Sequence, residues 1–195
     1  MAELDVRVPQ RLSRRILGLF SVIMAPALSM TLLSTPAHAV DRLLYVGAVY
    51  EIHPSYEGDY VLDVRGESRS SGAGVYAYRD NNQANQRWEV ASAELDDQLR
   101  WVYTFRNLNS GLFLDVRNGD RDADLIQWRQ GTGRNQQFYA IEGSIGGGGG
   151  VILQSRSEFQ YVTYQGNGSR LVVRDGSVLT MAPQLFRFEL VRFKA

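Results

Sequence analysis

The stretch NQRWEV, Asn85 to Val90, returns as NQQFYA at Asn135 to Ala140, and in frayed form as PQLFRF at Pro183 to Phe188. Gln86, Gln136 and Gln184 stand 50 and 48 positions apart. Self-similarity at a period of roughly 20 to 50 residues marks a fold assembled from copies of one supersecondary unit. In a strand, residues i and i+2 share a face, so each glutamine is expected beside an aromatic: Trp88, Phe138 or Phe186. Three aromatics from three equivalent strands can then meet in one core. The glutamines, each with two donors and acceptor lone pairs, are suited to satisfy loop backbone groups that burial would otherwise leave unpaired.

Within each period the chain reads as short strands, runs rich in Val, Tyr, Phe and Trp between clusters of Gly, Ser, Asn and Asp. The first copy offers YVLDV (60–64), GVYAY (74–78) and RWEVA (87–91). The second offers WVYTF (101–105), LFLDV (112–116), DLIQW (124–128) and QFYAI (137–141). The third offers VILQS (151–155), YVTY (161–164), LVV (171–173) and FRFEL (186–190). About four strands per unit and no helix after the leader make the chain all-β. GGGGG at Gly146 to Gly150 lacks the Lys and Ser/Thr of a phosphate loop and reads as a floppy hairpin tip. The acidic run DRDAD, Asp120 to Asp124, lacks the spacing and glycine of an EF-hand and reads as a solvated hairpin tip.

Residues 1–39 form a separate segment. Arg11, Arg14 and Arg15 precede the apolar run ILGLFSVIMAPALSMTLL, and STPAHA follows with Ala37 and Ala39 at an Ala-x-Ala site. This is the pattern of an export signal cleaved after Ala39. The alternative, a retained anchor, rests on the 18 residues from Ile16 to Leu33; Pro26 and the small-residue site favour cleavage. The expectation is a secreted, extracellular domain, 40–195, with no membrane association after cleavage. Four of the 21 basic and two of the 21 acidic residues fall in the leader, so the remainder carries a net charge near minus two. That balance gives no footprint for nucleic acid. There is no cysteine, so an exported domain has to be held by its core rather than by disulfides.

Three Gln-x-aromatic copies, each with an upstream LDV-like strand, resemble the ricin B-type (R-type) lectin domain, and in particular its secreted bacterial members. The resemblance runs from about Tyr50 to Val191, over repeats at about 45–93, 99–143 and 150–193. It is strong in YVLDVRGESRSSGAGVYAYRDNNQANQRW and SGLFLDVRNGDRDADLIQWRQGTGRNQQF and weak in the third unit. The fold it implies is a β-trefoil with pseudo-threefold symmetry, a six-stranded barrel capped by three hairpins. The function it implies is weak glycan binding by a monomer, on galactose-type sugars or a plant or microbial polysaccharide. In that family an Asp at the end of the second strand accepts bonds from sugar hydroxyls, an aromatic of the third strand stacks on the ring, and the Asn of the Asn-Gln pair adds a polar contact. Carried over by position, the first lobe supplies Asp63, Tyr78, Asn85 and Gln86, and the second Asp115, Trp128, Asn135 and Gln136. In both, the aromatic stands seven residues before the Asn. One departure is that Tyr76 and Ile126 take the place where the family often has Gln. The third lobe reads as blind: Thr163 takes the place of the Asp, Pro183 that of the Asn and Gly176 that of the aromatic.

The chemistry is reasonable apart from the resemblance, since a neutral polyol with a partly apolar ring calls for an ionised acceptor, an amide and a flat surface. Each residue also has a structural alternative: the Asp residues can hold a nearby turn, Tyr78 and Trp128 can pack at a rim, and the glutamines can serve the fold alone. An enzyme is not expected. His53 is the sole histidine after the leader, with no partner cluster for a metal, and no cofactor or metal is implied. The competing function is that of a β-trefoil protease inhibitor, which binds proteins through its loops and needs none of the sugar residues.

Overall fold

The computed structural model describes residues 41–145, 148–176 and 182–193. The leader, with His38, lies outside the described residues, as do Gly146 and Gly147. Twelve strands run through the described chain: β1 (Ala48–Pro54), β2 (Tyr60–Val64), β3 (Val75–Arg79), β4 (Trp88–Leu95), β5 (Trp101–Asn107), β6 (Phe113–Val116), β7 (Leu125–Trp128), β8 (Phe138–Ile145), β9 (Gly148–Ser155), β10 (Tyr161–Thr163), β11 (Val172–Arg174) and β12 (Leu185–Phe193). The repeat pattern gives no signal for β1. All seven of its residues are buried, so the alternation that marks a half-exposed strand is missing. On the face away from the apolar cluster even Glu51 is covered, by Arg87, whose Nε donates to Oε1 at 3.1 Å.

Six strands close on themselves through antiparallel pairings in the order β1, β4, β5, β8, β9, β12 and back to β1. Closure removes the unpaired edges of an open sheet. The other six form three hairpins, β2–β3, β6–β7 and β10–β11. Their tips exchange backbone bonds in a ring. Gly72 N donates to Gln127 O (2.8 Å) and Gln127 N to Ala73 O (2.9 Å), joining the first tip to β7. Val173 N donates to Ala123 O (2.9 Å), joining the second tip to β11, and Ala77 N donates to Ser169 O (3.0 Å), joining the third to β3. The acidic run DRDAD is the tip of the β6–β7 hairpin, with Asp120, Arg121 and Asp122 exposed as expected, and it also meets the third lobe: Arg121 pairs with Asp175 (2.7 Å), Asp122 with Arg174 (3.3 Å) and Asp124 with Arg170.

Trp88, Phe138 and Phe186 are fully buried in one apolar cluster, as the repeat predicts. Phe105 joins Phe138 across 6.1 Å between ring centroids, and Trp88 Nε1 donates to Leu62 O at 3.0 Å, which satisfies the indole inside the core. The glutamines do not share the strands with them. Gln86, Gln136 and Gln184 each end a 3-10 turn, Ala84–Gln86, Arg134–Gln136 and Ala182–Gln184, just before β4, β8 and β12. Gln precedes the strand because its side chain is needed by the loop behind it. The glycine run also departs from its expected role. Gly148 to Gly150 are strand residues of β9, with Gly150 opposite Gly143 of β8. A Cβ on Gly150 would stand 2.8 Å from both Leu185 Cγ and Phe186 O, so glycine here admits Leu185 against bare backbone.

Candidate functional site

Each of the first two hairpins carries the same buried cluster. Asp63, next to last in β2, is buried on the face away from the core residues Leu62 and Val64, and Asn85 Nδ2 and Gln86 Nε2 both donate to its Oδ2, each at 2.9 Å. In the second lobe Asn135 Nδ2 and Gln136 Nε2 both donate to Asp115 Oδ2 at 2.8 Å. Two amides converging on one oxygen fix the carboxylate, and neither bonds Oδ1. The same glutamines close the loops behind them. Gln86 bonds Arg79 O (2.9 Å) and Asn81 N (2.8 Å), and Gln136 bonds Arg129 O (2.7 Å) and Gly131 N (2.8 Å).

Asp63 lies on the wall of an open cleft of about 390 Å3 with Arg65, Glu67, Tyr76, Tyr78 and Asn85. Asp115 lies on the wall of one of about 290 Å3 with Arg117, Asn118, Ile126, Trp128 and Asn135. Tyr78 is 55% exposed and Trp128 47%, so both rings present a face to solvent at the rim of their clefts. Thus Asp, aromatic and Asn meet in both lobes. Gln86 and Gln136 do not line these clefts, whereas Asn85 and Asn135 do, each donating one amide hydrogen to its carboxylate.

Burial raises the pKa of Asp63 and Asp115 above the ordinary aspartate value, and the bonds from Gln86 with Asn85, and from Gln136 with Asn135, pull it part of the way back. The charged form is desolvated and still has acceptor capacity to offer, which suits a carboxylate that receives hydroxyl donors.

The third lobe departs from the expected alignment. Strand pairing sets Asp63 opposite Tyr76, Asp115 opposite Ile126 and Thr163 opposite Val172, and it sets Trp128 opposite Phe113 and Arg174 opposite Tyr161. The residue at the place of Trp128 is therefore Arg174, not Gly176. The third hairpin is two residues shorter between its paired positions than the second, and counting back from Pro183 hides that change. Arg174 Nη1 turns to Asp122 O at 2.8 Å. Gln184 keeps the old geometry, donating to Thr163 Oγ1 (3.1 Å) and Asp175 O (3.3 Å), but without a carboxylate.

Beyond the clefts, His53 is buried without a hydrogen-bond partner for either ring nitrogen. Burial, then the Arg187 charge, holds its pKa below the usual value, so it is a neutral interior group. A larger polar cleft of about 490 Å3 lies between the β4–β5 hairpin and the Gln130 to Thr132 loop. No group of three His, Cys, Asp or Glu among the described residues is set to hold a metal.

Known proteins share the fold. A model of the ricin-type β-trefoil lectin domain-like family matches residues 84–179. ThreeFoil, a designed threefold-symmetric protein, is 26% identical, with a TM-score of 0.60 over 72% of this chain and 96% of its own. The fold is a β-trefoil. An exo-β-1,3-galactanase from Clostridium thermocellum superposes at TM-score 0.62 with 21% identity over 75% of the β-trefoil chain, which spans only 31% of the galactanase. The Macrolepiota procera ricin B-like lectin, solved in complex with lactose, superposes at 0.56 with 15% identity, over 76% of the chain and 99% of that lectin. No curated protein sequence matches the chain.

Proposed function

We propose that the β-trefoil is a secreted lectin module of the ricin B type that binds glycans weakly through two clefts, one built on Asp63 with Tyr78 and one on Asp115 with Trp128. The observation that carries this reading is the repeated construction: twice, a buried carboxylate is clamped through one oxygen beneath a half-exposed aromatic. A turn-holding aspartate needs no ring beside it, and a rim-packing ring needs no desolvated acid. The family match over 84–179 and the lactose complex of the Macrolepiota procera lectin support the same reading. A protease-inhibitor role would place its determinants in a protruding loop and would leave this pairing without a purpose. Export rests on the leader, and the intact mass of the chain recovered outside the cell, beginning at Val40, is its test.

A glycan array probed at neutral pH and then at falling pH tests the function. Binding is expected at neutral pH and lost on acidification, because a protonated Asp63 or Asp115 no longer accepts as a carboxylate. The raised pKa of both groups places that loss above the ordinary aspartate range of about 3.9. The fold should outlast it. A folded pKa above the unfolded one means that these two groups favour the folded state below the unfolded pKa, an advantage lost as pH rises through the folded value. Asp96 most of all, and with it Asp175 and Glu189, are held below their usual values, and their stabilisation fails on acidification only from their unfolded pKa downward. No binding to any glycan at neutral pH would bring the protein-binding reading forward.

A further inference from the structure

The two clefts are not equivalent, and the difference sits directly across the strand pair from each acid. Asp63 faces Tyr76, whereas Asp115 faces Ile126. Opposed residues of an antiparallel pair project from the same face, so Tyr76 and Ile126 are the immediate neighbours of the two carboxylates. We infer that Tyr76 and Arg65 make the first cleft selective for saccharides bearing a proton-free oxygen acceptor, an acetamido carbonyl or a carboxylate, and that the second cleft lacks this selectivity. The inference rests on the sugar-binding reading of both clefts.

The phenol oxygen of Tyr76 receives three bonds: from Arg170 Nη2 (2.8 Å), Arg170 Nε (3.2 Å) and Arg65 Nη1 (3.4 Å). Guanidinium groups only donate, so the oxygen is the acceptor in all three. The hydroxyl hydrogen has no acceptor among the described residues and is left to donate into the cleft. Burial alone would raise the phenol pKa, but the bonds from Arg65 and Arg170 outweigh it and hold the value below 10. The O–H is therefore a stronger donor than an ordinary tyrosine's.

The assembly is built in from the third lobe. Arg170 is anchored by Asp124, and Gly74 makes the room: a Cβ there would stand 2.7 Å from Tyr76 Cε2 and 2.9 Å from Arg170 Nε. Arg65 adds a second source of donors. It lines the first cleft and makes no ion pair among the described residues, whereas its counterpart Arg117 stands 3.7 Å from Asp124 Oδ2. The first cleft thus sets donors beside the acceptor Asp63, and the second sets an aliphatic side chain there. Glu67 also lines the first cleft, so with Asp63 ionised the neutral acetamido carbonyl is favoured over a carboxylate.

The test uses single-cleft variants, with Asp115→Ala leaving the first cleft and Asp63→Ala the second, titrated with galactose, N-acetylgalactosamine and galacturonate by NMR. In Asp115→Ala, N-acetylgalactosamine is expected to bind about tenfold tighter than galactose, with galacturonate between them, because a hydrogen bond from the Tyr76 hydroxyl to the acetamido carbonyl is gained. In Asp63→Ala the three sugars are expected to bind alike. Adding Tyr76→Phe to Asp115→Ala should return the ratio to about one, and Arg65→Gln, a change on an exposed side chain, should lower it independently. Equal ratios in the two single-cleft variants, or a ratio unmoved by both Tyr76→Phe and Arg65→Gln, would overturn the inference and leave the two sites standing. Absence of binding by every form, wild type included, would overturn both.

Discussion

Trp88→Ala is expected to cost about 3 to 5 kcal/mol, since a fully buried indole leaves both a lost transfer energy and a cavity. The loss also orphans Leu62 O, which accepts from the indole at 3.0 Å. For a domain of this size each kcal/mol moves the melting temperature by about 2 to 4 °C, so a fall of about 10 °C is expected in a thermal melt followed by circular dichroism. That is a large share of a typical domain's 5 to 15 kcal/mol. An unchanged melting temperature would contradict the placement of Trp88 at the centre of the shared core.

The second large effect is on avidity. A single shallow sugar site of this kind is expected to bind in the millimolar range, about 4 kcal/mol, so retention on a glycan surface depends on engaging two clefts at once. Asp63→Ala or Asp115→Ala should remove one site from a titration with soluble sugar and lower surface retention by a hundredfold or more. The double variant should lose both sites. Thr163→Ala should change neither, because no carboxylate is clamped in the third lobe. The alanine variants leave the Asn and Gln amides of each cluster short of an acceptor, so their melting temperatures have to be followed alongside. A folded double variant that binds glycans as the wild type does would show that these aspartates are not the sugar acceptors.

Much of this structure is legible in the sequence because the repeat fixes it three times over. The Gln-x-aromatic spacing locates the core aromatics, and the LDV strands locate both acids. What escaped has physical causes. Strand β1 is hidden because full burial erases its alternation. Gln86 and Gln136 lie outside the strands because a side chain that serves a loop has to sit where the loop turns. Arg174 was displaced by two positions because a shortened hairpin and a lengthened return cancel in a count from Pro183. The identity of the groups beside each acid was visible as Tyr76 and Ile126, but their importance depends on strand register, which residue spacing alone does not give. Arg65 and Arg117 stand at equivalent places in Asp-Val-Arg, 63–65 and 115–117, and only the ion-pair geometry separates them.

The ring of backbone bonds among the three hairpin tips separates what a lobe owes the whole from what it offers a ligand. Ala73, Ala123 and Ser169 hold the neighbouring hairpins through main-chain atoms. A lobe can therefore exchange its acid, aromatic and amide for Thr163, Arg174 and Pro183 and still brace the next one, as the third lobe does. The converse does not hold. Cutting a lobe out would expose strand edges on both sides of the gap and remove the support of a cleft that lies in another lobe, as Arg170 supports Tyr76. The residues of a cleft can thus be exchanged lobe by lobe, whereas stability and the support behind the first cleft are shared among lobes.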